Sequence, residues 1–130
     1  MADITSSMRT FLLEDASILS AYGQRIHVAK AQDTETYPFA IIRGVTNQPT
    51  YTQEGESLRQ TILHIDTYDT ELSDCITNAE LIRSKLTGYK GLMGDIEVGA
   101  IFVRDGPPPE WSPDARRFRM FNQYDIKWTV

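Results

Sequence analysis

The sequence predicts an α+β fold: an antiparallel or mixed β-sheet with two helices packed on one face, in the order α-β-β-β-α-β-β. Three observations carry that expectation. Residues 118–130 alternate, with Phe118, Met120, Tyr124, Ile126, Trp128 and Val130 on one parity and Arg119, Gln123, Asp125, Lys127 and Thr129 on the other. Only Phe121 and Asn122 break the pattern, and a period of two means a strand with one dry and one wet face. Residues 5–22 and 70–87 instead space their apolar side chains by three and four, the period of a helix. The strands crowd close together along the chain, which favours antiparallel pairing over a regular parallel sheet.

Each element follows from its own residues. Over 5–22, Met8, Phe11, Leu12, Ile18, Leu19 and Tyr22 form an apolar stripe. Ser6 or Thr5 is expected to cap its start and Gly23 to close its end in a left-handed conformation. A short strand is expected over 25–30. The polar residues 31–37 lead to Pro38 and a strand over 39–45. Its consecutive Ala40, Ile41 and Ile42 mark burial on both faces and an interior position. Residues 46–57 are polar and contain Pro49 and Gly55, so they read as a long hairpin loop or projecting arm.

A further strand spans 58–68, with Thr61, Leu63, Ile65 and Thr67 on one face and Gln60, Ile62, His64, Asp66 and Tyr68 on the other. The second helix presents Leu72, Cys75, Ile76, Ala79, Ile82 and Leu86, with Asp69 or Thr70 as cap and Gly88 as terminator. Residues 96–104 form the next strand. Residues 105–114 contain four prolines, which remove donors and fix the backbone, so regular structure is not expected there. The whole is read as one domain over 1–130 with projecting loops near 46–57 and 105–115.

Composition narrows the function classes. With 130 residues, 41% hydrophobic and 24% charged, the chain has the balance of an ordinary globular domain. The net charge of −5 argues against a dedicated nucleic-acid binder, which shows a basic patch. A single cysteine excludes an intrachain disulfide and fits a reducing compartment. No stretch reaches the roughly 18 apolar residues of a membrane span, and the N-terminus lacks the basic-then-apolar pattern of a signal peptide.

Catalytic constellations are scarce. His64 and Asp66 lie two apart on one strand face, yet no nucleophile is placed beside them, so a structural or interface role is expected. Cys75 falls on the apolar side of its helix, the place of a small buried hydrophobe. Nothing basic in the sequence flanks it to make a reactive thiol. His27 and His64 with one cysteine form no metal-ligand cluster, and Asp66, Asp69 and Asp74 lack the spacing of a calcium loop. Gly88, Gly91, Gly94 and Gly99 lack the Gly-Lys-Ser/Thr context of a phosphate loop and read as turns. No cofactor, metal or catalytic residue is assigned.

Partner contact is the more promising chemistry. Pro107, Pro108 and Pro109 favour an extended strut that would hold Trp111 outward as an interface anchor. The alternative is a Trp111 folded back onto its own core. Tyr51, among polar neighbours, is a second and weaker contact candidate. Arg116, Arg117 and Arg119 form the one basic cluster. It reads either as a contact for phosphate or an acidic partner face, or as the solvated start of a strand.

Four stretches, AYGQRIHVAK, YPFAIIRGV, LRQTILHIDTYDTELSDCITNAELIRSKL and RRFRMFNQYDIKWTV, in this order and spacing over residues 5–130, resemble the tail-completion or tail-terminator proteins of long-tailed bacteriophages. Two features depart from that pattern: the proline-rich insertion before the last strand is longer, and the 46–57 loop carries little hydrophobic content.

The resemblance implies a virion structural protein and no enzyme. It implies a hexameric ring that caps the tail tube and joins it to the head connector in the neck, assembled in the host cytoplasm. DNA would pass through the lumen without sequence-specific binding, and no membrane is involved. Heterologous contacts between identical subunits close such a ring when the rotation between them suits. The alternatives are a neck or head–tail joining protein and a small α+β ligand-binding domain or enzyme.

Overall fold

A carboxylate divides what the apolar spacing alone would make one N-terminal helix. The computed structural model describes residues 4–30, 36–52 and 55–129, with side chains described outside 47–57. Helix α1 (Ile4–Leu13) ends before Asp15, and α2 (Ala16–Tyr22) begins after it. Asp15 Oδ1 accepts the N–H groups of Ser17 at 2.9 Å and Ile18 at 3.1 Å, an N-cap that starts a new helix instead of extending the old one. Those bonds, the one from Ile18 foremost, hold the Asp15 carboxyl below its ordinary pKa. Thr5 and Ser6 lie inside α1, not at its cap. Gly23 has φ 62 and ψ −133, backbone that suits glycine, and its N–H closes on Leu19 O.

Among the described residues seven strands follow: β1 (Ile26–Val28), β2 (Phe39–Thr52), β3 (Gly55–Asp69), β4 (Gly91–Met93), β5 (Ile96–Asp105), β6 (Glu110–Ser112) and β7 (Arg117–Thr129). Helix α3 (Leu72–Leu86) lies between β3 and β4. The sheet order is β1-β2-β3-β7-β5-β4, with β6 pairing β7 off that path. It is mixed, because β1 runs parallel to β2 while the other pairs are antiparallel.

Several expectations need correction. The 46–57 segment is not a loop: its backbone stays paired in β2 to Thr52 and in β3 from Gly55. Threonine and tyrosine tolerate extended backbone, so polarity alone did not mean irregularity. The β3–β7 pairs begin at Arg59↔Trp128, so the described residues of β2 and β3 beyond Pro49 and before Arg59 reach past the paired length of β7. The proline-rich segment contains β6, whose residues 110–112 follow the last of three consecutive prolines and donate normally. Gly91 lies in β4 and Gly99 at a register irregularity of β5, while Gly94 turns the β4–β5 hairpin. The N-cap position of α3 is Glu71; Asp69 caps the approach instead, with Oδ1 accepting from Thr70 and Glu71 N–H at 2.7 and 3.3 Å.

The core lies between one sheet face and the helices. Apart from Asp66, the buried residues of β3 and β7 share one face: Thr61, Leu63, Ile65, Thr67 and Asp69 on β3, Asn122, Tyr124, Ile126 and Trp128 on β7. Helix residues meet that face directly. Tyr22 Oη lies 3.0 Å from Thr67 Oγ1, and Cys75 Sγ lies 3.5 Å from Thr67 O. Lys85 ties α3 to Asp15 at 3.6 Å and lies over the Phe11 ring.

Asn122 interrupts the dry parity for a local reason. Its Oδ1 accepts the Gly106 N–H at 3.2 Å, fixing the chain where it leaves β5. The approach is so close that a Cβ on Gly106 would lie 2.0 Å from Phe121 O. Phe118 and Met120, expected at the dry end, are only half-buried; that end of β7 lies beyond its pairing with β5, which begins at Asn122.

Candidate interaction surface

The opposite face of the sheet is a continuous field of polar and aromatic side chains. Register assigns its members. Phe39 pairs with Tyr68 and Arg43 with His64 across β2–β3; Tyr68, Asp66, His64 and Gln60 pair with Arg119, Phe121, Gln123 and Lys127 across β3–β7. Directly paired residues share a face. At the centre sits Asp66, 1% exposed. Its Oδ2 accepts from Arg43 Nε at 2.8 Å and lies 3.5 Å from Arg119 Nη2, while Oδ1 accepts from Arg43 Nη2 at 3.2 Å. A buried carboxylate is tolerated because charged donors satisfy it from both flanking strands.

His64 and Asp66 meet through Arg43 and not directly. Arg43 Nη2 lies 3.4 Å from His64 Nδ1, and Gln123 Oε1 lies 3.2 Å from Nε2. Arginine only donates and the amide oxygen only accepts, which suits the Nε2–H tautomer. The imidazole also stacks on Phe121, centroids 4.8 Å apart. Both ring nitrogens are thus committed to structure. Gln60 Nε2 donates to both oxygens of Asp125, at 3.0 and 2.9 Å.

The sequence-predicted contact residues separate. Trp111 is neither a free strut nor a core residue. It pairs with Phe118 across the β6–β7 hairpin, ring centroids 4.8 Å apart, and remains 48% exposed. Arg116 lies in the turn, with φ 55 and its N–H bonded to Ser112 O. Arg117 covers the Tyr68 ring at 4.4 Å and Phe39 at 5.5 Å, and Arg119 covers Phe121 at 5.0 Å. Arg117 and Arg119 therefore belong to the sheet's aromatic surface, and only Arg116 stands apart in the turn. Tyr51 lies in β2, and its side chain falls outside the described residues.

Two features escaped the sequence reading. One is the Arg43–Asp66–Arg119 clamp; its only signal was charge at central strand positions, and its meaning needed the strand order. The other is exposed apolar side chains at the sheet margins, Val45 on β2 and Phe102 on β5. An open notch of about 330 Å³ adjoins Val45, lined among others by Ile4, Gly44, Thr61 and Leu63. Among the described residues its lining holds no acidic, basic or imidazole side chain, only threonine hydroxyls and apolar groups.

Buried Cys75 has its thiol pushed up to about 11 by burial, with the Asp69 charge adding to the effect. It is a core residue in character. Among the described residues, no group of three or more His, Cys, Asp or Glu side chains could hold a metal ion. Among the same residues, no helix is long and apolar enough to cross a membrane.

No protein-family model matches this chain. No curated protein matches it either. Among solved structures, it is similar to a chain of the virion of a native gene transfer agent particle, at 10% sequence identity and a TM-score of 0.68. The similarity covers 96% of this chain and 93% of that chain. At that identity it establishes a shared fold, over nearly the full length of both.

Proposed function

We propose that this chain is a structural subunit of a phage-like virion, specifically a ring-forming tail terminator or tail-completion protein. The observation that carries the reading is the fold shared end to end with a chain of a gene transfer agent virion. The four sequence stretches that resemble tail-completion proteins support the finer assignment. In this reading the protein works by assembly, not turnover. Six copies form a ring in the host cytoplasm, cap the last ring of the tail tube, and present a second surface to the head connector. Trp111, Arg116, Arg117, Arg119 and Tyr51 are the candidate contacts to those neighbours. DNA passes through the lumen unbound, and the acidic excess of the chain opposes trapping by like-charge repulsion.

The chemistry of the surface supports a scaffold. The His64 nitrogens and the Asp66 carboxylate are engaged within the fold, and among the described residues the open notch has no ionisable lining. The test is removal of the subunit from an assembling particle. Tails of uncontrolled length, separate from filled heads, are the expected products. Tails of normal length beside heads that leak DNA would instead identify a neck protein. Normal infectious particles would rule out a virion role.

A further inference from the structure

Both margins of the sheet are only partly covered. Strand β1 pairs with β2 at 40–42 alone, and β4 pairs with β5 at 96–98 alone. Beyond those short covers, residues 43–52 of β2 and 99–105 of β5 have no strand partner on their outer sides among the described residues. The free stretches also lie at the same height. Gly44, Leu63, Tyr124 and Val103 form one row across the sheet, and Thr46, Ile62, Asp125 and Phe102 another. Three antiparallel steps separate β2 from β5, so the two run in opposite directions.

That arrangement has a geometric consequence. A second copy displaced sideways, without being turned over, brings its β5 margin against the β2 margin of the first. The strands then meet antiparallel and at matching height, the pairing whose hydrogen bonds run straight across. Such a contact is heterologous: each copy offers one margin and receives the other, and it closes a ring when the rotation per step divides a full turn.

The margins are also furnished for contact. A free edge in a protein that stays monomeric is normally blunted by charge or cover. Here Arg43 is turned onto Asp66 and Asp105 onto Arg83, Val45 sits in a bulge between Gly44 and Thr46 and is 49% exposed, and Phe102 is 58% exposed. Behind the β2 margin lies the apolar notch, where a Cβ on Gly44 would meet nothing within 4 Å.

We propose that the outer edge of β2 in one copy pairs antiparallel with the outer edge of β5 in the next, with Phe102 packing beside Val45 and making the sheet continuous around the ring. The inference rests on the ring reading above and specifies the surface that makes it.

Cysteine cross-linking of the full chain tests it. Val45→Cys and Phe102→Cys are made as separate chains, mixed in equal amounts and oxidised. A dimer containing one of each, absent from either variant alone, is expected. A self-linked Val45→Cys dimer would mean a two-fold contact and overturn the proposal. Rings seen by light scattering without the mixed dimer would overturn edge pairing while leaving the ring intact. A monomer at the highest soluble concentration would overturn both. Val45→Lys and Phe102→Lys, at exposed positions, should abolish association with an unchanged circular-dichroism spectrum; undiminished association would refute the pairing.

Discussion

Asp66 and Arg43 hold adjacent strands together through a two-point bond, Nε to Oδ2 at 2.8 Å and Nη2 to Oδ1 at 3.2 Å. Arg119 approaches the same carboxylate from the other side at 3.5 Å. Three central strands, β2, β3 and β7, are thus bridged on the face away from the helices. Asp66→Asn should destabilise the fold by ~1.5–3 kcal/mol, the range for bonds to charged groups. Both arginines keep solvent access, which limits the loss. A double-mutant cycle of Asp66→Asn with Arg43→Ala, followed by urea unfolding, should show strong coupling. Additive losses would mean that the bond contributes no more than its separate side chains.

Trp128 and Thr61 make the corresponding link on the buried face, Nε1 donating to Oγ1 at 2.9 Å. Trp128→Phe removes the donor and should cost about 0.5–1.5 kcal/mol, the net value of one hydrogen bond. Trp128→Ala adds a cavity and should cost ~3–5 kcal/mol. Trp128→Asp should prevent folding, since it places an unpaired charge in the core. A soluble, cooperatively unfolding Trp128→Asp chain would contradict the assignment of the dry face.

Trp111 separates folding from docking. Its ring contact with Phe118 is of the kind worth ~0.5–1.5 kcal/mol beyond burial. Trp111→Ala should therefore lower the melting temperature only modestly while weakening association with the tail tube or neck. Pull-down with purified tail tubes, set beside thermal unfolding, distinguishes the two effects. Loss of both in equal measure would assign Trp111 to the fold alone.

Cys75 predicts a loss of stability in alkali. The folded thiol titrates at about 11 against an ordinary 9.0, because burial favours the neutral form. The folded state thus holds its proton more tightly than the unfolded chain. That contribution is complete below about pH 9 and declines as pH rises toward 11. Tyr22 and Tyr124, whose hydroxyls burial also shifts upward, extend the decline to higher pH. Unfolding by urea across this range should show a shallower alkaline decline for Cys75→Ala than for the natural chain. Identical slopes would refute the assignment.

What could be read before the structure was whatever burial writes as a period. Residues 118–129 and 58–68 alternate because one face of each is dry, and both are strands near the centre of the sheet. Helix α3 was legible for the same reason. Asp15 shows where periodicity misleads: the apolar stripe runs through it, but its carboxylate caps a second helix. Strand order left no local trace, so β7 between β3 and β5 could not be anticipated from its neighbours in the chain. Strands β4 and β6, three residues each, are too short to show a period. The candidate surface was less legible than the fold. Arg117 and Arg119 were visible as charge, but their partners Tyr68, Phe39, Asp66 and Phe121 came together only through pairing register.

The ring is the claim on which the functional account turns, and the mass of the purified full-length protein tests it most directly. Native mass spectrometry over a range of concentrations should reveal a closed assembly of six chains, with no larger open series. A protein that stays a single chain throughout, or that grows into filaments without closing, would contradict the account.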